Sequence, residues 1–215
     1  RAVLLVVLVA VLAVVAAVAT VVVSERTYPP AERTLSAKTQ VAAGSEYVDE
    51  AAGLVIQVPL GWQAESGGLI FGSTALVPES DGAGGADDSG ADGVVFIGAL
   101  TPEMLGGQQI TNDQAALLLA NSIGQTFLPV PVQPADERFD QIETPAGAGV
   151  ALSFRALPVM QPEMLGPEGA LVYSAVVGEG DSRFWLTYVG LPADGSIHSP
   201  RVEWAEEIVD RFRAA

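Results

Sequence analysis

The sequence contains no cysteine and a single histidine, His198. Without cysteine the chain cannot form disulfides, thiolate zinc sites, a cysteine nucleophile or the lipid linkage of a bacterial lipobox. One histidine cannot build a multi-histidine metal site, so a surface or helix-capping role is expected for His198. The sequence also lacks the G-x-S-x-G elbow, the phosphate-binding loop and the dinucleotide fingerprint. We therefore predict a protein that is not an enzyme and that holds no cofactor or metal.

Positively charged side chains are scarce as well. Ten Lys and Arg stand against 26 Asp and Glu, which gives the 215-residue chain a net charge of -16. Such a charge repels phosphate backbones and anionic lipid headgroups, so nucleic acid is not an expected partner. One Gly- and Ala-rich stretch, residues 79–93, contains Asp81, Asp87, Asp88 and Asp92. These carboxylates could gather around Ca²⁺, but the EF-hand spacing is missing and the composition is typical of a flexible loop.

A long apolar run occupies the N-terminal end of the chain. It extends over residues 2–23, and Thr20 is its only residue that is not apolar. A helix of that length spans about 33 Å, which matches a hydrocarbon core of about 30 Å. We therefore predict a single-pass anchor in the plasma membrane, with the rest of the chain extracytoplasmic. The alternative is a signal peptide cleaved near Ala17-Val18-Ala19, which would give a secreted protein.

The remainder of the chain divides into a linker and one domain. Residues 24–46 contain Pro29-Pro30 and no sustained apolar periodicity, which indicates a linker, and residues 47–215 have the composition of a globular domain. The predicted strands are Leu54–Val58, Leu69–Val77, Val94–Leu100, Phe139–Glu143, Gly149–Leu157, Leu171–Val177 and Phe184–Val189. A four-residue turn, Gly178 to Asp181, is expected to join the last two strands into a hairpin.

Two amphipathic stretches interrupt and close this series of strands. The first begins at a cap, Thr111 or Asn112, and runs to about Gln125. Four of its residues fall at helical spacing: Ala115, Leu118, Leu119 and Ser122. The second begins at Pro200, and its apolar stripe comprises Val202, Trp204, Ala205, Ile208, Val209 and Phe212. The pattern predicts an α+β fold, with the N-terminal transmembrane helix followed by an antiparallel sheet flanked by helices.

Five short segments, in order along the chain, resemble the motifs of one family. They are Val58-Pro59-Leu60-Gly61-Trp62, Leu69-Ile70-Phe71-Gly72-Ser73, Gly98-Ala99-Leu100, Phe127-Leu128-Pro129-Val130-Pro131 and Arg183-Phe184-Trp185-Leu186. Residues 54–212 thereby resemble the globular domain of the actinobacterial alanine- and proline-rich secreted proteins, also called fibronectin attachment proteins. The likeness to small exported lipoprotein domains of actinobacteria is weaker. The resemblance implies a Mog1/PsbP-like fold and attachment to fibronectin.

The resemblance also marks a candidate binding strand. Arg183, Phe184, Trp185 and Leu186 are similar to the Arg-Trp-Phe-Val strand that the family uses in attachment, with the two aromatic residues in the opposite order. Alternation along a strand places Arg183 and Trp185 on one face and Phe184 and Leu186 on the other. An exposed Arg beside a Trp would suit a binding hot spot. The alternative is that Trp185 packs beneath a helix and Arg183 pairs with a local carboxylate.

Composition, motifs and resemblance together define the predicted function. We expect a membrane-anchored, extracytoplasmic protein that catalyses nothing and acts through protein–protein interaction, with fibronectin-type attachment as the role that the resemblance implies. The expected partner is then a protein of the extracellular matrix. The alternative is an accessory subunit of a larger actinobacterial membrane complex, such as a respiratory assembly, whose partners would be the other subunits.

Overall fold

The structure, a computed structural model, describes residues 39–78, 93–128, 130–160, 165, 168–191 and 201–215. The predicted anchor at residues 2–23, most of the predicted linker, the four aspartates of the Asp-rich stretch and His198 lie outside these ranges. Pro200, the predicted start of the closing helix, also lies outside them. In the described ranges, no helix has the length and apolar character needed to cross a bilayer.

The described residues form eleven strands and two helices. The strands are β1 (Thr39–Val41), β2 (Glu46–Asp49), β3 (Leu54–Gln57), β4 (Trp62–Ser66), β5 (Thr74–Pro78), β6 (Val94–Ala99), β7 (Val132–Thr144), β8 (Gly147–Pro158), β9 (Ala170–Glu179), β10 (Ser182–Gly190) and β11 (Arg213–Ala214). The helices are α1 (Asn112–Phe127) and α2 (Val202–Val209). All described strand pairs are antiparallel, which confirms the predicted antiparallel sheet with helices.

Eight of the strands form one sheet in the order β1-β4-β5-β6-β10-β9-β8-β7. The hairpin of β9 and β10 lies inside this sheet, and residues 170–178 of β9 are all buried. Successive side chains of a strand point to opposite faces, so a strand that is buried throughout needs cover on both faces. The sheet is therefore the middle layer of the domain.

One face of the sheet is covered by α1. The helix presents mainly alanines to the sheet, together with Leu119 and Ile123, and these contact a cluster that includes Phe154, Val172 and Trp185. The opposite face is covered by α2 and by a small three-stranded sheet in the order β11-β3-β2. The principal side chains of that second cluster are Leu54, Ile56, Tyr173, Leu186, Tyr188, Ile208 and Phe212. Two separate apolar layers thus stabilise the one large sheet.

The start of α1 agrees with its predicted cap. Thr111 precedes the helix with an extended backbone, and its N–H donates to Oε1 of Gln114 at 3.2 Å. This contact satisfies a backbone donor that has no partner within the helix. Of the four residues predicted at helical spacing, Ala115 and Leu119 are buried, whereas Leu118 and Ser122 are exposed. The buried side of α1 uses small alanines instead, which let the helix backbone lie close to the sheet.

Only β3 of the small sheet was predicted, as Leu54–Val58, because β2 and β11 are too short for a clear periodicity. Its attachment depends on Asp49, which is 2% exposed. The Asp49 carboxylate accepts hydrogen bonds from Ser73 Oγ at 2.6 Å, from Thr74 Oγ1 at 2.7 Å and from the N–H of Ala52 at 3.0 Å. A buried carboxylate is tolerated when hydrogen bonds replace its hydration. Asp49 therefore joins the β2–β3 turn to the start of β5.

Other predicted boundaries differ from the structure. The strand β4 was missed, and β1 lies inside the range 24–46 that was interpreted as linker, so the fold begins before Tyr47. The turn between β9 and β10 is shorter than predicted, because Ser182 pairs with Glu179 and only Gly180 and Asp181 remain unpaired. Gly180 has φ 61°, which is typical of a tight two-residue hairpin turn. The backbones of β9 and β10 therefore stay paired beyond Val177 and Phe184, where the apolar residues of the two predicted strands end.

Replacement of Ile208 by Asp tests the packing of α2. The Ile208 side chain is fully buried against the sheet, so the substitution places an unpaired carboxylate in an apolar layer. We expect the free energy of unfolding to fall by about 3 kcal/mol or more, measured by urea denaturation. Glu203→Asp, on the exposed side of the same helix, is the matched control and should change stability by less than about 0.5 kcal/mol. Equal stability of the two variants would contradict the packing described.

Candidate functional site

The four residues predicted to bind a partner lie on β10, well inside the sheet. Phe184 and Leu186 belong to the apolar layer beneath α2, and Trp185 belongs to the layer beneath α1. Phe184 is 6% exposed, whereas Trp185 and Leu186 are fully buried. Only Arg183 is half-buried. The expectation of an open Arg–Trp face is therefore corrected: Trp185 packs beneath a helix, as the alternative held.

Trp185 connects three of the segments that resemble the family. Its indole N–H donates to the carbonyl of Ala99 at 3.1 Å. Its ring also lies against two glycines: a Cβ atom placed at Gly98 or at Gly72 would be 3.3 Å from the indole. A Cβ at Gly72 would in addition be 2.2 Å from the carbonyl oxygen of Ile97, a distance that no side chain could accept. These motif residues therefore meet in a packing arrangement around one tryptophan.

Among the described residues, Arg183 binds a main-chain oxygen and no carboxylate, which corrects the second half of the alternative. Its Nη1 donates to the carbonyl of Ile110 at 2.8 Å, immediately before α1. In the same region Asn112 Nδ2 donates to the carbonyl of Gly178 at 3.1 Å. Both hydrogen bonds hold the beginning of α1 to the β9–β10 hairpin. In the structure, Arg183 thus positions the helix that covers Trp185.

The double variant Arg183→Ala with Trp185→Ala tests this structural role. It removes a large buried side chain and one of the contacts that hold α1, so the melting temperature measured by circular dichroism should fall substantially. Loss of the tryptophan alone is expected to cost about 3–5 kcal/mol. Arg155→Ala is a suitable control, since Arg155 is also on a sheet strand but its side chain is partly exposed. An unchanged melting temperature in the double variant would show that this face is open after all.

One open surface of the described domain lies at the β7 end of the sheet. A groove of about 580 Å³ runs between the second half of α1 and the beginning of β7. Its lining includes Leu117, Gly124, Leu128, Val132, Pro134 and Phe154. Farther along β7, Phe139 is 46% exposed, and it lies opposite Leu152, a member of the layer beneath α1. On the α1 side of this edge, Phe139 therefore adds an exposed ring, and the polar side chains of Gln141 and Glu143 follow it on the same face.

The α2 side of the same edge is acidic. Asp140 lies opposite Ala151 on this face. Its carboxylate forms an ion pair with Arg138, with 2.6 Å between Arg138 Nε and Asp140 Oδ2. Burial raises the pKa of Glu206 above its ordinary value, and the negative charges of Glu203, Asp210 and Asp140 raise it further, against the opposing charge of Arg138. Several carboxylates thus share this region with one guanidinium.

The charges of these carboxylates also act on a buried hydroxyl, that of Tyr173. The pKa of Tyr173 is raised, first by burial and then by the charges of Glu206, Asp210 and Asp140. Its hydroxyl has no hydrogen-bond partner in the described part of the chain. Tyr173 therefore adds an uncharged polar group and no positive charge, and the region keeps its excess of negative charge.

A smaller cleft of about 390 Å³ lies beside the Val58–Trp62 segment. Trp62, Tyr188 and Trp204 make edge-to-face contacts with ring centroids 6.2–6.4 Å apart. Leu60, at the tip of the turn, is 84% exposed. No group of three or more His, Asp and Glu in the described ranges could hold a metal ion. The described surface thus presents apolar grooves and carboxylates to a partner.

Sequence reasoning missed the β7 edge as a candidate surface. Its exposure follows from its position at the end of the sheet, which depends on strand order. The available signal was the charged and proline-containing composition of residues 132–144, which is typical of an edge strand.

The comparison with models of protein families agrees with the resemblance. The sequence model of the fibronectin-attachment protein (FAP) domain matches residues 47–215. Among solved structures, the chain is similar to the solution structure of cyanobacterial PsbP (CyanoP) from Synechocystis sp. PCC 6803, with 11% sequence identity and a TM-score of 0.48. That alignment covers 81% of this chain and 94% of the cyanobacterial chain. No curated protein matches the chain.

Proposed function

Since the chain belongs to the fibronectin-attachment protein family, we propose that it is a non-catalytic binding protein whose partner is fibronectin or a similar protein of the extracellular matrix. The observation that carries this proposal is the family match, which extends over residues 47–215 and so includes most of the described fold. The apolar and acidic surfaces beside β7 support a role in binding proteins. Enzymatic activity is not part of the proposal.

The proposal gives the strand from Arg183 to Leu186 an indirect role in binding. Three of its four side chains are buried, and Arg183 holds the residues before α1. We propose that this strand supports attachment by keeping α1 on the sheet, whereas the contacts with the partner are made by exposed residues elsewhere. Loss of binding in a variant of this strand should then accompany loss of the fold.

Binding of the 215-residue chain to immobilised fibronectin tests the proposed function. We expect saturable binding in surface plasmon resonance, with serum albumin as the control surface. The Ile208→Asp variant should bind more weakly in proportion to its unfolded fraction, because attachment depends on folded surfaces. A response on fibronectin no greater than that on albumin would exclude this matrix protein as the partner.

We also propose that residues 2–23 anchor the domain at the outer side of the plasma membrane. The apolar run supports this part of the proposal, and so does the extracellular nature of the family's partner. Cleavage of the segment would instead release the domain as a secreted protein. The alternative function, an accessory subunit of a membrane complex, requires the same span to be retained.

Protease added to intact cells tests the location. The domain should be digested while a cytosolic marker stays intact, because the proposal places it outside the membrane. Equal protection of the domain and the marker would contradict the proposed orientation. Purification in mild detergent completes the test: a membrane subunit that co-elutes in stoichiometric amount would favour the accessory-subunit role.

A further inference from the structure

Three carboxylates lie in a row along one side of α2. Glu203, Glu206 and Asp210 are three and four residues apart, a spacing that brings side chains of a helix next to one another. Like charges at this spacing destabilise a helix. Glu203 and Asp210 are exposed, whereas Glu206 is half-buried, so its charge is the least screened of the three. Ionised Glu206 therefore bears the repulsion of both neighbours.

The position of Glu206 in the helix is also unfavourable for a negative charge. Glu206 lies in the last turn of α2, and that turn, which the structure describes in full, contains no basic residue. The carbonyl end of a helix carries a partial negative charge, which repels carboxylates. α2 has only 8 residues, and a helix this short is not stable in water without tertiary contacts. Docking through Ile208 and Val209 therefore maintains α2, and ionised Glu206 opposes that docking.

The strand β7 supplies charges of both signs to this region. The guanidinium of Arg138 favours the ionised form of Glu206, and the carboxylate of Asp140 opposes it. Both side chains belong to the face of the sheet on which α2 lies, since they are opposite Ser153 and Ala151. They form an ion pair with each other, so Asp140 offsets the positive charge of Arg138. β7 therefore leaves the negative charge of the row on α2 uncompensated.

In the described ranges, the other elements near α2 add no positive charge that acts on Glu206. On β9, Tyr173 has a buried hydroxyl without a hydrogen-bond partner in the described part of the chain, and its raised pKa keeps it uncharged. On β8, the guanidinium of Arg155 lies 3.6 Å from a carboxylate oxygen of Glu168. At the end of α2 and in the small sheet, Arg211 pairs with Glu207 and Arg213 pairs with Glu46. Protonation of a carboxylate is then the change that would relieve the repulsion.

We propose that Glu206 makes the docking of α2 sensitive to pH, so that its protonation strengthens the docking and its ionisation weakens it. The folded pKa of Glu206 lies above its ordinary value of 4.5, first through burial and then through the charge of Glu203. The stabilisation is therefore fully present below 4.5 and is lost as the pH rises through the folded pKa. The proposal concerns the fold itself, so it goes beyond the proposed function and does not depend on the partner.

Amide hydrogen exchange of the 215-residue chain at about pH 5 and about pH 7.5 tests the proposal. After correction for the intrinsic pH dependence of exchange, the amides near Ile208 should be better protected at the lower pH. They should also be less protected than those of β9 at both pH values, because α2 opens without unfolding of the whole sheet. Protection of α2 that does not increase at the lower pH, or that equals the protection of β9, would overturn the proposal.

The variant Glu206→Gln tests which group is responsible, because its amide is uncharged, like the protonated carboxyl group. At about pH 7.5 this variant should protect α2 as well as the wild type does at about pH 5. Glu207→Gln is the matched control, since it removes the same charge from the neighbouring residue, whose carboxylate pairs with Arg211 on the exposed side. The control should keep the increase in protection at the lower pH. An increase that persists in Glu206→Gln, or that Glu207→Gln abolishes, would contradict the proposal.

The variant Arg138→Gln tests the same arrangement in the opposite direction. It removes the positive charge that favours ionised Glu206, so the increase in α2 protection between about pH 7.5 and about pH 5 should become larger. Arg155→Gln, on the neighbouring strand, is the control of equal charge change and should leave the increase as it is in the wild type. A smaller increase in Arg138→Gln than in the wild type would show that these charges do not govern the docking of α2.

Discussion

Burial of the β9–β10 hairpin on both faces is the constraint on which the rest of the structure depends. A strand buried throughout must be covered by two apolar layers, and this chain supplies them from distant parts of the sequence. The layer beneath α1 comes from the middle of the chain. The opposite layer combines α2 with the small sheet, whose strands come from both ends of the domain. Arg183 and Asp49 fasten these covers through hydrogen bonds to main-chain and hydroxyl groups.

This arrangement separates the residues that define the fold from those able to contact a partner. Trp185 and the glycines at positions 72 and 98 form one packing unit. The indole is fully buried there, and it lies against both glycines. The segments that resemble the family can therefore be shared because they build the core of the domain, and not because they contact a partner. The exposed groups at the end of the sheet are under no such constraint, because side chains on an edge strand contribute less to stability than buried ones do. Substitutions at the end of the sheet should therefore cost less stability than substitutions around Trp185.

The acidic character of the chain has different consequences at different depths. Exposed carboxylates are screened by salt and mainly increase the rate at which a basic partner arrives. Glu206 is half-buried, so its charge is less screened, and burial together with its acidic neighbours raises its pKa. A partner that brings positive charge to this place would relieve repulsion already present in the folded domain. Complementary charge would then add stability as well as specificity to the complex.

Local sequence patterns determined the α+β class, the positions of both helices and most strands of the sheet. They were sufficient because α1 has a cap and because the strands near the centre of the sheet are long apolar runs. Alternation also placed Arg183 and Trp185 on one face of β10, but it could not tell whether that face is open. Only tertiary structure decided that α1 covers Trp185, that short strands build a second sheet around Asp49, and that β7 ends the large sheet. Each of these features depends on contacts between residues far apart in the chain, whereas periodicity reports only how neighbouring residues share a face.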